Sequence, residues 1–126
     1  MTRTARGSGN MGHMSLTEKD VAFTNVAWGR TATIFGPENV DSRFVRIKIT
    51  EYAPGTDHKL HRHPEEEVLF VLEGRGISRT AEGDRPMFPG TFVFVPADTD
   101  HTTINLEPDR SLRAVIIKSP PGAVDK

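Results

Sequence analysis

Three histidines and one glutamate fall in two short segments whose spacing suits a shared metal site. The first segment reads G-x5-H-x-H-x3-E-x6-G and contributes His61, His63 and Glu67. The second reads G-x5-P-x-D-x2-H-x3-N and contributes His101. Imidazole nitrogens bind Fe, Ni and Zn, and a carboxylate oxygen also suits Mn. The four residues therefore predict one divalent transition-metal ion per chain, held without thiolates because the chain has no cysteine.

The alternation of side chains along a β-strand explains how these residues could converge. His61 and His63 are two positions apart and so face the same side of an extended chain. Glu67 opens a second extended run that ends at Leu72. Taken alone, the histidine pair could lie on the surface, and the acidic run at positions 65–67 could be solvated. The joint register of glycines, proline, histidines and glutamate favours the metal site over both alternatives.

The elements that would position these residues are short strands. One clear alternating strand, Arg43–Tyr52, places Ile47 and Ile49 on one face, and a helical turn at Ser15–Asp20 has Ser15 and Glu18 as a capping box. Many short strands separated by Gly and Pro turns predict an all-β barrel or sandwich. The predicted strands are Val21–Thr24, Trp28–Phe35, Arg43–Tyr52, Glu67–Leu72, Gly74–Thr80, Arg85–Phe88, Thr91–Val95 and Leu112–Ile117.

The two motifs resemble those of the cupin superfamily, over about residues 28–118. The first matches at every defining position, whereas the second has Asp98 where the family has glycine. The resemblance implies an all-β jelly-roll barrel (a double-stranded β-helix) with His61, His63, Glu67 and His101 inside, and Asn105 in a structural role. If the Asp98 turn requires a positive φ, aspartate fits it less well than glycine, and His101 would be displaced.

The predicted cavity would be mostly apolar, as small-ligand sites usually are. His58 lies out of phase with His61 and His63, so we expect it at the surface or at the cavity rim. Tyr52 and Arg30 are further polar candidates for the cavity. The residues expected in its wall are Ile47, Ile49, Leu69, Val71, Phe92 or Phe94, and Ile116.

Three functions remain open for such a site. The first is a dioxygenase acting on a small molecule that chelates iron through two adjacent oxygens, with Glu67 as a base. The second is an isomerase, lyase or decarboxylase in which the metal acts as a Lewis acid. The third is a small-ligand-binding protein without catalysis. A shared fold does not decide among them.

Length, charge and composition indicate the partners, domain organisation, location and oligomeric state that we expect. The chain has 126 residues and a net charge of -1, which favours neither nucleic acid nor an anionic membrane as a partner. Residues 1–14 are expected to be an expression tag or a disordered tail, and residues 15–126 a single domain. Without cysteines or an apolar leader, we expect a cytoplasmic protein. Open sheet edges predict a homodimer to which Val21–Phe35 contributes.

Overall fold

Ten antiparallel strands in two facing sheets form the protein, as described by a computed structural model over residues 12–121. The strands are β1 (Thr24–Val26), β2 (Gly29–Phe35), β3 (Arg46–Tyr52), β4 (Asp57–His61), β5 (Glu66–Glu73), β6 (Gly76–Thr80), β7 (Gly83–Met87), β8 (Phe92–Val95), β9 (His101–Asn105) and β10 (Leu112–Ser119). The large sheet has the order β1-β2-β3-β10-β5-β8 and the small sheet β4-β9-β6-β7. The all-β jelly roll predicted from the sequence is confirmed.

The N-terminal segment differs in detail from the sequence prediction. A 3₁₀ turn, Glu18–Asp20, is capped by Thr17, whose hydroxyl accepts from the backbone N–H of Lys19 while Asp20 reaches back. The capping box is therefore Thr17 with Asp20, and the prediction of Ser15 with Glu18 was wrong. The tail predicted over residues 1–14 lies outside the described residues except for 12–14, which are exposed. In residues 12–121 no helix is long and apolar enough to cross a bilayer.

Strand β3 turns its polar side chains inward. Lys48 and Thr50 are buried, while Ile47 and Ile49 are only half-buried and face outward. On β8 the large aromatic residues also face outward, because Phe92 and Phe94 are exposed whereas Val93 and Val95 are buried. The prediction of Ile47, Ile49 and the β8 phenylalanines as cavity wall was therefore wrong. A period of two separates the faces of a strand but does not say which face lies inside.

The interior is apolar at one end and polar at the other. The apolar end is a packed cluster with Trp28 against its edge, and its buried members are Tyr52, Leu69, Val71, Met87, Val93, Val95, Leu112, Ala114 and Ile116. At the other end the same inner face carries Lys48, Glu67 and Lys118. Buried apolar area stabilises a fold by roughly 25 cal/mol per Å². Most of the stabilisation therefore comes from the apolar end, and the polar end can serve a site.

Candidate metal centre

Two of the three histidines come from paired strands of the small sheet, and the third comes from the loop that leads into the large sheet. His61 ends β4 and lies opposite His101, the first residue of β9, while His63 follows in the loop to β5. The ligand atoms of the three rings all lie within 4.8 Å of one another. The ring centroids of His61 and His101 are 4.1 Å apart. The structure therefore brings together the three histidines that the sequence singled out.

Each imidazole is held by a backbone carbonyl at its Nδ1 atom. His61 Nδ1 lies 2.8 Å from the carbonyl oxygen of Lys59, and His101 Nδ1 lies 2.7 Å from that of Thr99. His63 Nδ1 lies 3.1 Å from the carbonyl oxygen of Glu65. Because a carbonyl can only accept, Nδ1 donates in each case. In a neutral ring the lone pair is then on Nε2, the arrangement that orients metal-ligating histidines.

Buried His101 provides a test of whether a metal ion fits. Its side chain is 2% exposed, and its Nε2 atom has no hydrogen-bond partner within residues 12–121. A buried polar atom without a partner costs about 1–3 kcal/mol. A cation bound at Nε2 would remove that cost, so the donor set fits a divalent transition metal.

Glu67 reaches the cluster from the large sheet. Its side chain is buried on β5, and its Oε1 atom lies 3.1 Å from His63 Nε2. Two ligands at about 2.1 Å from one ion and at right angles to each other would be roughly 3 Å apart. The observed separation is compatible with both atoms binding one ion, but Glu67 is not in the group whose ligand atoms all lie within 4.8 Å of one another, which contains the three histidines. Its role as a fourth ligand stays a prediction.

The electrostatics of the cluster keep the carboxylate ionised. Burial opposes ionisation of Glu67, but the hydrogen bond with His63 and the charge of Lys118 outweigh it and lower the pKa of Glu67. The same hydrogen bond raises the pKa of His63, and burial lowers the pKa of His61. A cation would compete with the His63 proton for Nε2, so metal binding would release protons.

The turn that carries His101 adopts the conformation that glycine usually provides. Asp98 has φ of 56°, and its backbone N–H donates to the carbonyl oxygen of His63 over 2.8 Å. Arg62 and Asp100 form an ion pair between the same two loops, with an Nε–Oδ1 distance of 2.9 Å. The positive φ anticipated at Asp98 is therefore present, yet His101 is not displaced from the cluster.

His58 faces the cavity, contrary to its predicted place out of phase at the rim. A bulge in β4 accounts for this. His58 pairs with Thr103 and His61 pairs with His101, so an advance of three residues along β4 corresponds to two residues on β9. The ring of His58 stacks on Trp28 with centroids 4.0 Å apart and lies 4.2 Å from the ring of His61.

A cavity of about 340 Å³ opens onto the cluster. Its lining residues are Trp28, Lys48, Thr50, Tyr52, His58, His61, His63, Pro64, Glu65, Glu67, Ile116 and Lys118. Tyr52 and Ile116 were predicted there, whereas Arg30 instead binds Glu51 over 2.8 Å. The sequence did not predict that the cavity lining also includes Trp28, Lys48, Glu65 and Lys118. Side chains two positions apart on an extended chain face the same side, so the inward prediction for Glu67 could have been extended to Glu65.

Asn105 has the structural role implied by the resemblance. Its side-chain N–H groups donate to the carbonyl oxygens of Tyr52, Ala53 and Arg110 over 2.9–3.2 Å. Its side-chain oxygen accepts from the backbone N–H of Glu107 over 2.9 Å. The residue is 2% exposed and ties β9 to two loops.

Comparison with known proteins agrees with this architecture. Residues 48–118 match the family model described as the Cupin domain. The chain belongs to the cupin family. This cupin is similar over 84% of its length to KdgF from Halomonas sp. (TM-score 0.72, 17% identity, 94% of that chain). It is also similar over 87% of its length to the polyketide cyclase RemF from Streptomyces resistomycificus (TM-score 0.74, 18% identity, 83% of that chain).

Two curated relatives have names that indicate different roles. Auxin-binding protein 1 of Arabidopsis thaliana is 31% identical over 86 residues, which are 61% of this cupin and 43% of the relative. Dimethylsulfoniopropionate lyase DddW of Ruegeria pomeroyi is 27% identical over 85 residues, which are 68% and 54% of the two chains. This cupin spans about half the length of these relatives.

Proposed function

We propose that this cupin is a metal-dependent enzyme that acts on a small organic molecule. The observation that carries the proposal is the convergence of His61, His63 and His101 at one end of the cavity, with each Nδ1 atom held by a backbone carbonyl. A divalent ion bound there would supply Lewis-acid polarisation of a substrate oxygen or, as iron, chemistry with dioxygen. The metal could be Fe, Mn, Ni or Zn.

Four residues would hold the ion: His61, His63, His101 and Glu67. Three neutral imidazoles and one carboxylate leave one positive charge uncompensated on a divalent ion, and an octahedral ion would keep two positions open for substrate. The lowered pKa of Glu67 keeps its carboxylate able to bind the ion or to accept a proton from substrate. The cavity on the open side of the cluster excludes bulk water from part of the substrate.

Our first candidate reaction is dioxygenation. Histidine and carboxylate ligands with open positions are the pattern of non-haem iron oxygenases, here with one additional histidine. A substrate with two adjacent oxygens would be oriented by binding at the open positions. Glu67 would take up the proton that such a substrate loses on binding.

The second candidate is Lewis-acid chemistry without oxygen, as in an isomerase, lyase or decarboxylase. The observation that favours it is His58, which lies in the cavity next to His61 but outside the cluster of possible ligands. A ring in that position could transfer a proton while the ligand histidines stay bound. The similarity to the lyase DddW supports the same candidate.

Metal analysis followed by a paired activity assay tests the proposal. The full chain is purified without added metal, analysed for bound metals, and loaded separately with Fe(II), Mn(II), Ni(II) and Zn(II). Each form is then mixed with catechols, diketones and hydroxy acids, in air with an oxygen electrode and without oxygen. Iron-dependent oxygen uptake supports dioxygenation, and anaerobic conversion supports Lewis-acid chemistry.

Two outcomes would contradict the proposal. Failure of the wild-type chain to retain any of the four metals would remove the centre. Ligand binding without conversion, in a metal-loaded protein tested against a broad panel, would make this cupin a binding protein, the role named in its auxin-binding relatives. His61→Ala serves as the matched inactive control.

A further inference from the structure

Two lysines are buried in the wall of the cavity, where the sequence predicts mostly apolar side chains. Lys48 on β3 is 4% exposed and Lys118 on β10 is 8% exposed. They are diagonal neighbours on the same inner face, because Lys48 pairs with Ile116, two residues before Lys118. Lysine is rarely buried unless its charge is compensated. Both line the cavity beside the metal cluster, and the charge of Lys118 acts on Glu67.

Arg46 is a third buried cation on the inner face of the large sheet, and it lies away from the cavity. Arg46 is also on the inner side of β3 and is 3% exposed. Its guanidinium forms an ion pair with Glu38 and donates to the carbonyl oxygen of Pro121. Arg46 does not line the cavity, whereas Lys48 and Lys118 do. The two lysines thus differ from Arg46 in facing the space where a ligand would bind.

The charges lining the cavity become positive once a metal ion is bound. Glu65 and Glu67 are its acidic residues, and their two charges balance those of Lys48 and Lys118. A divalent ion would then leave a net charge of +2 in a partly enclosed space. Charge interactions are stronger there than in bulk water because the local dielectric constant is lower. An anionic ligand is the species that such a cavity would bind best.

We propose that the substrate of this cupin is a small organic acid whose carboxylate is bound by Lys48 and Lys118. This inference rests on the proposed function, because the metal ion supplies the excess charge. The substrate would place its carboxylate against the lysines and its reacting oxygen towards the histidine cluster. A volume of about 340 Å³ is at the small end of ligand sites, which limits the acid to a compact molecule. Trp28, Tyr52 and Ile116 provide the apolar wall for its carbon skeleton.

Matched acids and amides test the inference. Zinc-loaded full chain is titrated by calorimetry with salicylate and salicylamide, and with lactate and lactamide. The members of each pair share the oxygen that could reach the metal and differ in charge. We expect the acid of at least one pair to bind about tenfold or more tightly than its amide, as charge-assisted hydrogen bonds would provide.

Lysine variants assign that preference to the cavity. Lys48→Met and Lys118→Met keep an unbranched side chain as long as the apolar part of lysine and remove the charge, so each should reduce the preference for the acid by about tenfold. Lys19→Met, in the exposed 3₁₀ turn, makes the same charge change outside the cavity and should leave the preference unchanged. Thermal unfolding of each variant checks that it is folded, and the wild-type pairs test the inference even if one variant is not.

Zinc content measured on the same samples separates this inference from the proposed function. A wild-type chain that holds zinc but binds acids and amides equally would overturn the assignment of an acidic substrate. The same conclusion follows if folded Lys48→Met and Lys118→Met both keep the full preference. A wild-type chain that holds no zinc, nor any other of the four metals, would overturn the proposed function and with it the charge excess used here.

Discussion

At the scale of single residues, His101 connects stability with metal binding. Its ring is buried, its Nδ1 atom is held by the Thr99 carbonyl, and its Nε2 atom has no partner among residues 12–121. Such a buried atom costs the fold about 1–3 kcal/mol, and a metal ion bound at Nε2 would remove that cost. The orientation leaves Nε2 directed at His61 and His63, the two rings it would share an ion with.

We expect His101→Ala to lose metal while remaining folded. Removal of one imidazole ligand should weaken zinc binding by more than about 100-fold, since even partners behind the ligands change affinity 10–100-fold. His58→Ala is the control, because His58 lies beside the cluster without belonging to it. Zinc per chain after dialysis distinguishes the two. Equal zinc retention in His101→Ala and wild type would remove His101 from the ligand set.

Asp98 has a backbone conformation that should affect the stability of the turn before His101. Its φ of 56° lies in the left-handed region, which costs L-residues about 1–2 kcal/mol, although aspartate is among the side chains that visit it. We expect Asp98→Ala to be less stable than Asp98→Gly by about 1 kcal/mol in urea unfolding. Both should still bind zinc, because the turn is held by the backbone N–H of residue 98. Equal stability of the two variants would indicate that the backbone here is not strained.

At the scale of strands, the bulge in β4 decides which histidines share a face. In an unbroken strand, side chains three positions apart point to opposite faces. The extra residue between His58 and His61 returns both rings to the cavity side, and Lys59 and Leu60 are exposed instead. The bulge depends on pairing with β9, a strand that begins 40 residues after the end of β4. Local sequence alone could not have revealed it.

Three strands of the large sheet are joined on their outer face by an ion-pair row. Glu51 of β3 pairs in register with Arg30 of β2 and Arg113 of β10. Its two carboxylate oxygens accept from Arg30 Nε over 2.8 Å and from Arg113 Nε over 2.9 Å. The hydrogen bond from Arg30, with that from Arg113, lowers the pKa of Glu51 against the opposing effect of burial.

This row predicts a pH-dependent contribution to stability. Because the pKa of Glu51 is lower in the folded than in the unfolded state, its contribution is fully present above the unfolded pKa of about 4.3 and is lost as pH falls through the folded value. We expect the free energy of unfolding of the wild type to exceed that of Glu51→Gln by about 1 kcal/mol at pH 7. The difference should become progressively smaller below about pH 4. Urea unfolding at several pH values measures this. Glu82→Gln, in the exposed β6–β7 turn, is the control, and a difference that does not shrink in acid would contradict the assignment.

At the scale of the whole molecule, part of the outer face of the large sheet is an apolar patch. The strand registers align two rows of side chains across β3, β10, β5 and β8, which we call the outer apolar rows. One row is Ile49, Val115, Phe70 and Phe92, and the other is Ile47, Ile117, Val68 and Phe94. Phe92 is 71% exposed and Phe94 is 58% exposed, on a strand at the edge of the sheet. An extended apolar patch of this kind marks an interaction surface.

We propose that the homodimer expected from the sequence forms through the outer apolar rows. A charge-free apolar patch is complementary to a copy of itself, as a twofold interface requires, and the Glu51 ion-pair row supplies a polar rim.

Light scattering at micromolar concentration should give twice the 13.9 kDa of one chain. Phe92→Lys combined with Phe94→Lys should weaken association more than tenfold. Leu106→Lys, equally exposed but beside the small sheet, should not. A monomeric wild type would contradict the proposal.

The fold class and the residues of the histidine cluster could be predicted from the sequence alone. Turn residues and short β-prone runs indicate an all-β fold through local chemistry. The spacing of His61, His63 and His101 within two motifs specifies a site because each motif is a single local loop and strand. A homodimer, a cytoplasmic location and the role of Glu67 as a ligand and base stay predictions.

The faces of the strands that lie inside, in contrast, depend on how the two sheets pack and could not be predicted from the sequence. The alternation on β3 was visible, but apolar Ile47 and Ile49 were assigned inward, although the inner face there carries Lys48 and Thr50. A period of two is the same for either assignment, so pairing with the neighbouring strands must settle it. The sequence therefore did not predict the polar interior. Apolar residues are usually buried, but near the site polar side chains face the inside of the barrel and apolar ones face outward.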